Sequence, residues 1–302
     1  MSRNTDGKRE VGIGNAAIFA ALLLILLLPF AAFAQGKLRL VTLAPNLTET
    51  IFALGHGDEV VGVTDFCKFP EEAKSRRHVG GLFDANAEVI MSLKPDLVFL
   101  TPAHRKMLEA MSGAGIKTVQ TETETIEDVY TTTAKVGAAL DDTPAGDKLI
   151  AKMKSDIASV KEKSGASKKV KVLFVVGYSS EGMREIYGVG PHTFLDELMV
   201  LAGGENLLID SSVRYPIVTR EFLIANAPDV IIDANGGGDA KSARSDDDKK
   251  TAREKWYSLF GAAASKQPRI EFIDDAHITI PGPAIAESAE KIRKLIAPPT
   301  TP

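Results

Sequence analysis

Two stretches of the chain repeat one another: AEVIMSLKPDLVFL at 87–100 and REFLIANAPDVIID at 220–233. Each holds a glutamate, an apolar stretch at helical spacing, the dipeptide Pro-Asp and a β-branched run. Glu88 precedes Pro95 and Glu221 precedes Pro228 by the same interval, and 221 − 88 and 228 − 95 give one offset of 133 residues. A second pair, TETIFALGHG (48–57) and TFLDELMVLAGG (193–204), repeats a capping threonine, an apolar helix and a glycine stop. A chain that carries one helix–strand unit twice is constrained to form two lobes of similar build, each offering a surface glutamate at the equivalent place.

The rest of the pattern agrees. Short runs rich in Val, Ile and Leu (LRLVTL 38–43, EVVGV 59–63, DLVFL 96–100, TVQT 118–121, KVKVLFVV 169–176, DVIID 229–233, IEFID 270–274) alternate with helical patterns. Strands spaced by helices argue for α/β lobes built on parallel sheets buried on both faces. Between the two strand groups, TPAGDKLIAKMKSDIASVKEKSGA (143–166) sets Leu149, Met153, Ile157 and Val160 at helical spacing, with Thr143-Pro144 as a start and Gly165 as a stop. One helix of about 20 residues, on the order of 30 Å long, is the expected connector. The expected organisation is an amino-terminal lobe over 37–142, the connecting helix at 143–166, a carboxy-terminal lobe over 168–297 and a disordered tail at 298–302.

Basic Arg3, Lys8 and Arg9, an apolar run over 16–33 and the sequence Ala32-Phe33-Ala34 before Gln35 have the form of a cleavable secretory signal over 1–34. A retained anchor is the alternative, since roughly 20 apolar residues span a bilayer. No cysteine stands at the cleavage point, which excludes lipid attachment there. Cleavage would leave 302 − 34 = 268 residues, with 36 − 3 = 33 basic against 40 − 2 = 38 acidic, a net charge of −5. A chain of that sign is a poor polyanion binder, so nucleic acid is not an expected partner. The single cysteine, Cys67, permits no internal disulfide.

Catalytic signatures are incomplete. Gly177-Tyr178-Ser179-Ser180-Glu181-Gly182 misses the G-x-S-x-G elbow by one residue, although a completion by Asp233 and His277 can be drawn. MREIYGVGP, which follows, reads as a strand-like piece rather than the helix an elbow needs. GVGPHT (188–193) is only the beginning of a dinucleotide fingerprint. The five histidines, at 56, 78, 104, 192 and 277, show no zinc-ligand spacing. The charged, glycine-rich stretch at 236–255 reads as a mobile loop leading to a helix near Trp256. Glu88 and Glu221 admit two readings: acids that favour the positive end of a helix, or matched acids suited to a two-fold partner with basic pockets.

Six segments in order, LVTLAPNLTETIFALG (40–55), VGVTDFCKFPEEA (61–73), VGG with AEVIMSLKPDLV (79–98), IYGVGPHTFLDELMVLAGGENLL (186–208), YPIVTREFLIANAPDVII (215–232) and PGPAIAESAEKI (281–292), give the mature chain a family resemblance. It resembles the periplasmic substrate-binding proteins of ABC importers for cobalamin, haem and ferric siderophores, and its cobalamin-binding branch in particular. The resemblance implies two Rossmann-like α/β lobes joined by one long helix, a ligand cleft between them and no enzymatic activity or cofactor of its own. It implies a monomer that delivers cobalamin or a related corrinoid to a permease dimer served by ATPase subunits, with Glu88 and Glu221 docking on the permease. By motif, Phe66, Tyr187 and Tyr215 keep aromatic character against the corrin ring. Tryptophans of some cobalamin binders are replaced around Leu82 and Phe83 and at Thr101. Cys67 falls at the cleft rim, as a metal ligand or as a packing residue. A haem or ferric-siderophore cargo is the alternative, with His104, His192, Tyr178 and Tyr215 as candidate axial ligands.

Overall fold

The Pro-Asp repeat marks the same structural joint in both lobes. The computed structural model describes residues 37–165, 169–179, 183–235, 244–261 and 267–298. In the amino-terminal lobe, Asp96 opens β4 (Leu97–Leu100), accepts a hydrogen bond from Arg39 N at 2.8 Å and donates its own N–H to Arg39 O at 2.8 Å, beside the start of β1 (Leu40–Thr42). In the carboxy-terminal lobe, Asp229 opens β10 (Val230–Asp233) and makes the same two bonds with Lys171, at 2.9 and 2.8 Å, in β6 (Val170–Tyr178). The proline ends each preceding helix because it cannot supply the next amide. The aspartate then clamps the new strand to its central neighbour.

The first sheet also contains β2 (Val60–Val63), β3 (Arg77–His78) and β5 (Lys117–Gln120), in the order β3-β2-β1-β4-β5, all parallel. The second has the order β11-β10-β6-β7-β9, with β11 at Arg269–Phe272, β7 at Ile186–Gly188 and β9 at Ile217–Val218; β8 (Gly204–Asn206) also pairs with β6. Its strands run parallel except β7, which is antiparallel to both of its neighbours, β6 and β9. The reversed β7 is a local exception within the α/β lobes on parallel sheets expected from the sequence. The interval from Tyr178 to Ile186 is too short for the crossover that a parallel return requires, so the chain turns straight back.

Helices flank both sheets: α1 (Pro45–Ala53), α2 (Ala87–Ser92), α3 (Arg105–Gly113) and α4 (Ile126–Ala139), then α5 (Thr143–Ser164), α6 (Phe194–Leu201), α7 (Arg220–Ala225), α8 (Asp246–Phe260) and α9 (Ile285–Ile296). The expected threonine cap is present at Thr193, whose Oγ1 accepts from Asp196 N at 3.1 Å. It is not present at Thr48. There Pro45 occupies the first turn and Ala44 the cap, which puts Thr48 inside the helix. Proline carries no amide hydrogen and its φ is preset for a first turn, so it starts α1 four residues earlier than a Thr48 cap would, 48 − 44 = 4.

The connector α5 is capped by Asp142, whose Oδ1 accepts from Ala145 N at 3.1 Å, and ends at Gly165 with φ of 61°. Met153, Ile157 and Val160 are buried and Leu149 partly so. They join one apolar cluster with Ile126, Val129 and Tyr130 of α4, Leu198 and Met199 of α6, and Ile292 and Ile296 of α9. Each such side chain contributes about 1.5–3 kcal/mol on full burial. The connector is therefore clamped along its length rather than free to bend, and the chain from Arg39 onward forms a single compact unit. β6 is buried on both faces: Val172 and Phe174 enter this cluster, while Leu173 and Val175 enter a second one around Trp256 and Phe260. The expected signal segment at 1–34, residues 180–182 of the serine stretch, residues 236–243 of the expected mobile loop and residues 299–302 of the expected tail lie outside the described residues.

Candidate functional site

In parallel α/β sheets, loops at the carboxyl ends of the strands form the binding surface. In the amino-terminal lobe those loops enclose a cavity of about 310 Å³ lined by Asn46, Phe83, Thr101, His104, Glu122 and Glu124. Three of the residues named from sequence, Phe83, Thr101 and His104, thus share one wall. His104 is buried, and its ring holds the wall together. Nδ1 accepts from Thr101 N at 3.2 Å and from Thr101 Oγ1 at 2.9 Å, which leaves the proton on Nε2 to be donated to Leu82 O at 2.8 Å. With both nitrogens engaged, His104 has no lone pair for an axial bond. It anchors the loop from which Phe83 projects with 79% of its surface exposed.

Phe66, after β2, is 44% exposed, but Cys67 beside it points inward and is 2% exposed. Its Sγ accepts from Thr48 Oγ1 at 3.0 Å and lies 3.3 Å from Thr64 Oγ1. Burial pushes the thiol pKa up, against the opposing effect of the hydroxyl bonds from Thr48 and Thr64. Cys67 accordingly packs under the loop, held by two hydroxyls, instead of reaching the rim. Sequence spacing put it next to Phe66; the tight turn closed by Cys67 N donating to Thr64 O at 3.1 Å sends the two side chains to different environments.

In the carboxy-terminal lobe Tyr187 on β7 and Tyr215 before β9 are exposed, the first with its hydroxyl 3.3 Å from Glu185 Oε2. Tyr178, at the end of β6, is half-buried: its hydroxyl donates to Asp233 Oδ2 at 3.2 Å and its ring meets Trp256 edge-on at 6.0 Å. Burial, then the Asp233 charge, push its pKa up. Asp233 is fully buried and also accepts from Trp256 Nε1 at 2.8 Å and pairs with Arg244 Nη1 at 3.1 Å. His192 is exposed, in a turn with φ of 62° just before α6. The lobes meet near these residues, where Arg214 pairs with Glu124 at 3.3 Å and Ile126 N donates to Glu197 Oε2 at 2.7 Å.

A hydrolase constellation is not assembled. Ser179 Oγ accepts from Glu185 N at 3.3 Å, Asp233 is occupied by Trp256, Tyr178 and Arg244, and His277 bonds to Glu49 at 2.9 Å. Among the described residues no three His, Cys, Asp or Glu side chains gather as a metal site, and no helix is long and apolar enough to cross a membrane.

Glu88 and Glu221 are both exposed and both occupy the second position of their helices. The caps match as well: Asn86 Oδ1 accepts from Val89 N at 3.1 Å, and Thr219 Oγ1 from Phe222 N at 3.2 Å. Sequence reasoning did not single out Asn46, Glu122 or Glu124 on the cavity wall, nor the Asp233–Trp256–Arg244 group. The only signal for them was position, since each follows or ends a strand or packs against one that does.

Two α/β lobes, one exposing Phe66 and Phe83 and the other Tyr187 and Tyr215, have the build of a two-lobed solute-binding protein. The chain matches the periplasmic binding protein family over residues 40–268 and belongs to it. An ABC transporter substrate-binding lipoprotein of Bacillus subtilis (strain 168), itself uncharacterized, is 30% identical over 271 residues, which are 87% of this chain and 81% of that one. A vitamin B12-binding protein of Vibrio campbellii is 30% identical over 204 residues, 67% of this chain and 72% of its own. The periplasmic haem-binding protein of Roseiflexus sp. RS-1, in its apo form, has a TM-score of 0.73 and 25% identity, covering 86% of this chain and 98% of that one. The protein is thus the binding component of an ABC importer.

Proposed function

We propose that this protein captures cobalamin or a related corrinoid in the periplasm, holds it between its lobes and presents it to a permease dimer through Glu88 and Glu221. The observation that carries the ligand class is the set of exposed rings on both lobes, Phe66 and Phe83 on one and Tyr187 and Tyr215 on the other. Exposed rings are costly in water, and a flat macrocycle repays them with large contact area on rigid frames. The likeness to vitamin B12-binding relatives supports the same reading. Export would follow cleavage near Ala34, leaving lobes at 37–142 and 168–297 around the connector at 143–166.

A second reading, haem or a ferric siderophore, draws support from the haem-binding neighbour. It has fewer axial donors to use, because His104 has both nitrogens engaged and Tyr178 is bonded to Asp233, which leaves His192 and Tyr215. Titration of the purified protein with cyanocobalamin, cobinamide and haemin, followed by cargo absorbance and by quenching of Trp256, separates the two. Saturable binding of the corrinoids is expected; saturable binding of haemin with no corrinoid binding would replace the first reading with the second.

A further inference from the structure

Glu49 and His277 are 228 positions apart and belong to different lobes, yet Glu49 Oε2 lies 2.9 Å from His277 Nε2. Glu49 stands one turn into α1, whereas His277 belongs to a short 3-10 turn, Ala276–Thr279, that leads into α9. The imidazole also stacks on Phe69 of the amino-terminal lobe, with 4.6 Å between centroids and 12° between planes. One lobe therefore holds both the nitrogen and the face of a ring supplied by the other. The approach is tight, since a Cβ added at Gly282 would come within 3.0 Å of Glu49 Oε2.

The Glu49 side chain is only 8% exposed and its Oε1 takes no hydrogen bond. A buried carboxylate with one oxygen unsatisfied is tolerable chiefly through its positive partner, so separating the pair would strand a charge. The pair lines an open cavity of about 650 Å³ shared with Phe52, Phe69 and Arg76, through which solvent protons reach the imidazole.

We propose that the Glu49–His277 contact is an interlobe pin that fixes the angle between the two cleft walls and so positions them for ligand capture. Its effect on ligand retention rests on the function proposed above; the angle itself does not. Around the pin stand Asp275 next to it in sequence, and Glu287 and Lys291 on α9, with Lys291 ion-paired to Asp275. The bond to Glu49 raises the His277 pKa above its ordinary value, against burial, while burial raises that of Glu49, against the bond to His277. A raised histidine pKa contributes stability that is full below about 6.5 and fades as pH rises through the folded value. A raised carboxyl pKa acts in the same direction, because the buried anion is increasingly uncovered as pH rises. The pin is accordingly firm at mildly acidic pH and loosens on the alkaline side.

The test uses ligand-free protein spin-labelled at Lys106→Cys on α3 and Lys255→Cys on α8, both exposed positions, with buried Cys67 left in place. The expected interlobe distance distribution is narrow at pH 6 and broader at pH 9, and in His277→Gln it is broad at both. Glu49→Gln provides the same comparison should His277→Gln not fold. In parallel, the cyanocobalamin dissociation rate is expected to rise about fivefold over that interval, at the low end of intersite coupling, and to lose its pH dependence in the variants. Identical distance distributions in wild type and variants at both pH values would overturn the pin. Failure of cyanocobalamin to bind, with the distances shifting as described, would count against the corrinoid assignment and leave the pin supported.

Discussion

Replacing Asp233 with alanine removes the acceptor at the centre of the carboxy-terminal lobe. The carboxylate is fully buried and takes hydrogen bonds from Trp256 Nε1 at 2.8 Å, Tyr178 Oη at 3.2 Å and Asn235 N at 3.0 Å. Trp256 is itself fully buried, so its N–H has no route to water, and an orphaned buried donor costs about 1–3 kcal/mol. Arg244 loses its 3.1 Å contact but keeps Asp274 at 2.9 Å, so its charge is not stranded. The total expected loss is about 3–5 kcal/mol, the range for breaking a buried charged group away from its partners. At about 2–4 °C per kcal/mol for a chain of this size, the melting temperature should fall by roughly 6–20 °C. Asp233→Asn keeps one acceptor oxygen for Trp256 and should lose less. Urea unfolding followed by Trp256 fluorescence and far-ultraviolet circular dichroism measures both variants. A loss below about 1 kcal/mol in Asp233→Ala, or equal losses in the two, would refute the assignment of Asp233 as the shared acceptor.

Cys67 should resist a thiol reagent in the folded protein and react with one equivalent in urea, because its sulfur is buried and its thiol pKa is raised by that burial. Phe83→Ala should weaken ligand binding roughly tenfold while leaving the melting temperature nearly unchanged, since the residue is 79% exposed in the free protein. Glu88→Lys with Glu221→Lys should abolish uptake in cells at unchanged ligand affinity; uptake at the parental rate would end the docking assignment. Small-angle scattering should show only a small change in radius on ligand addition, because α5 is packed along its length against α4 and α9.

The division between sequence and tertiary structure follows the range of each interaction. The proline stops, the connector's apolar stripe, its Gly165 stop and the caps at Thr193 and Thr219 all act within a few residues, so periodicity and cap chemistry carried them, whereas the Asp96 and Asp229 clamps reach partners 57 and 58 positions away. The two lobes and the matched positions of Glu88 and Glu221 were legible for the same reason, being one local unit present twice. Where two local signals competed, as at Pro45 and Thr48, only the folded helix showed which prevailed. The antiparallel turn of β7, the inward rotation of Cys67 and the engagement of both His104 nitrogens depend on strand partners and loop packing that no window of neighbouring residues contains. The same holds for Asp233 with Trp256, and most of all for Glu49 with His277, which is a partner only because the lobes are docked as they are. Local spacing determines which elements form; the free energy of burying charges and rings decides which distant residues must meet.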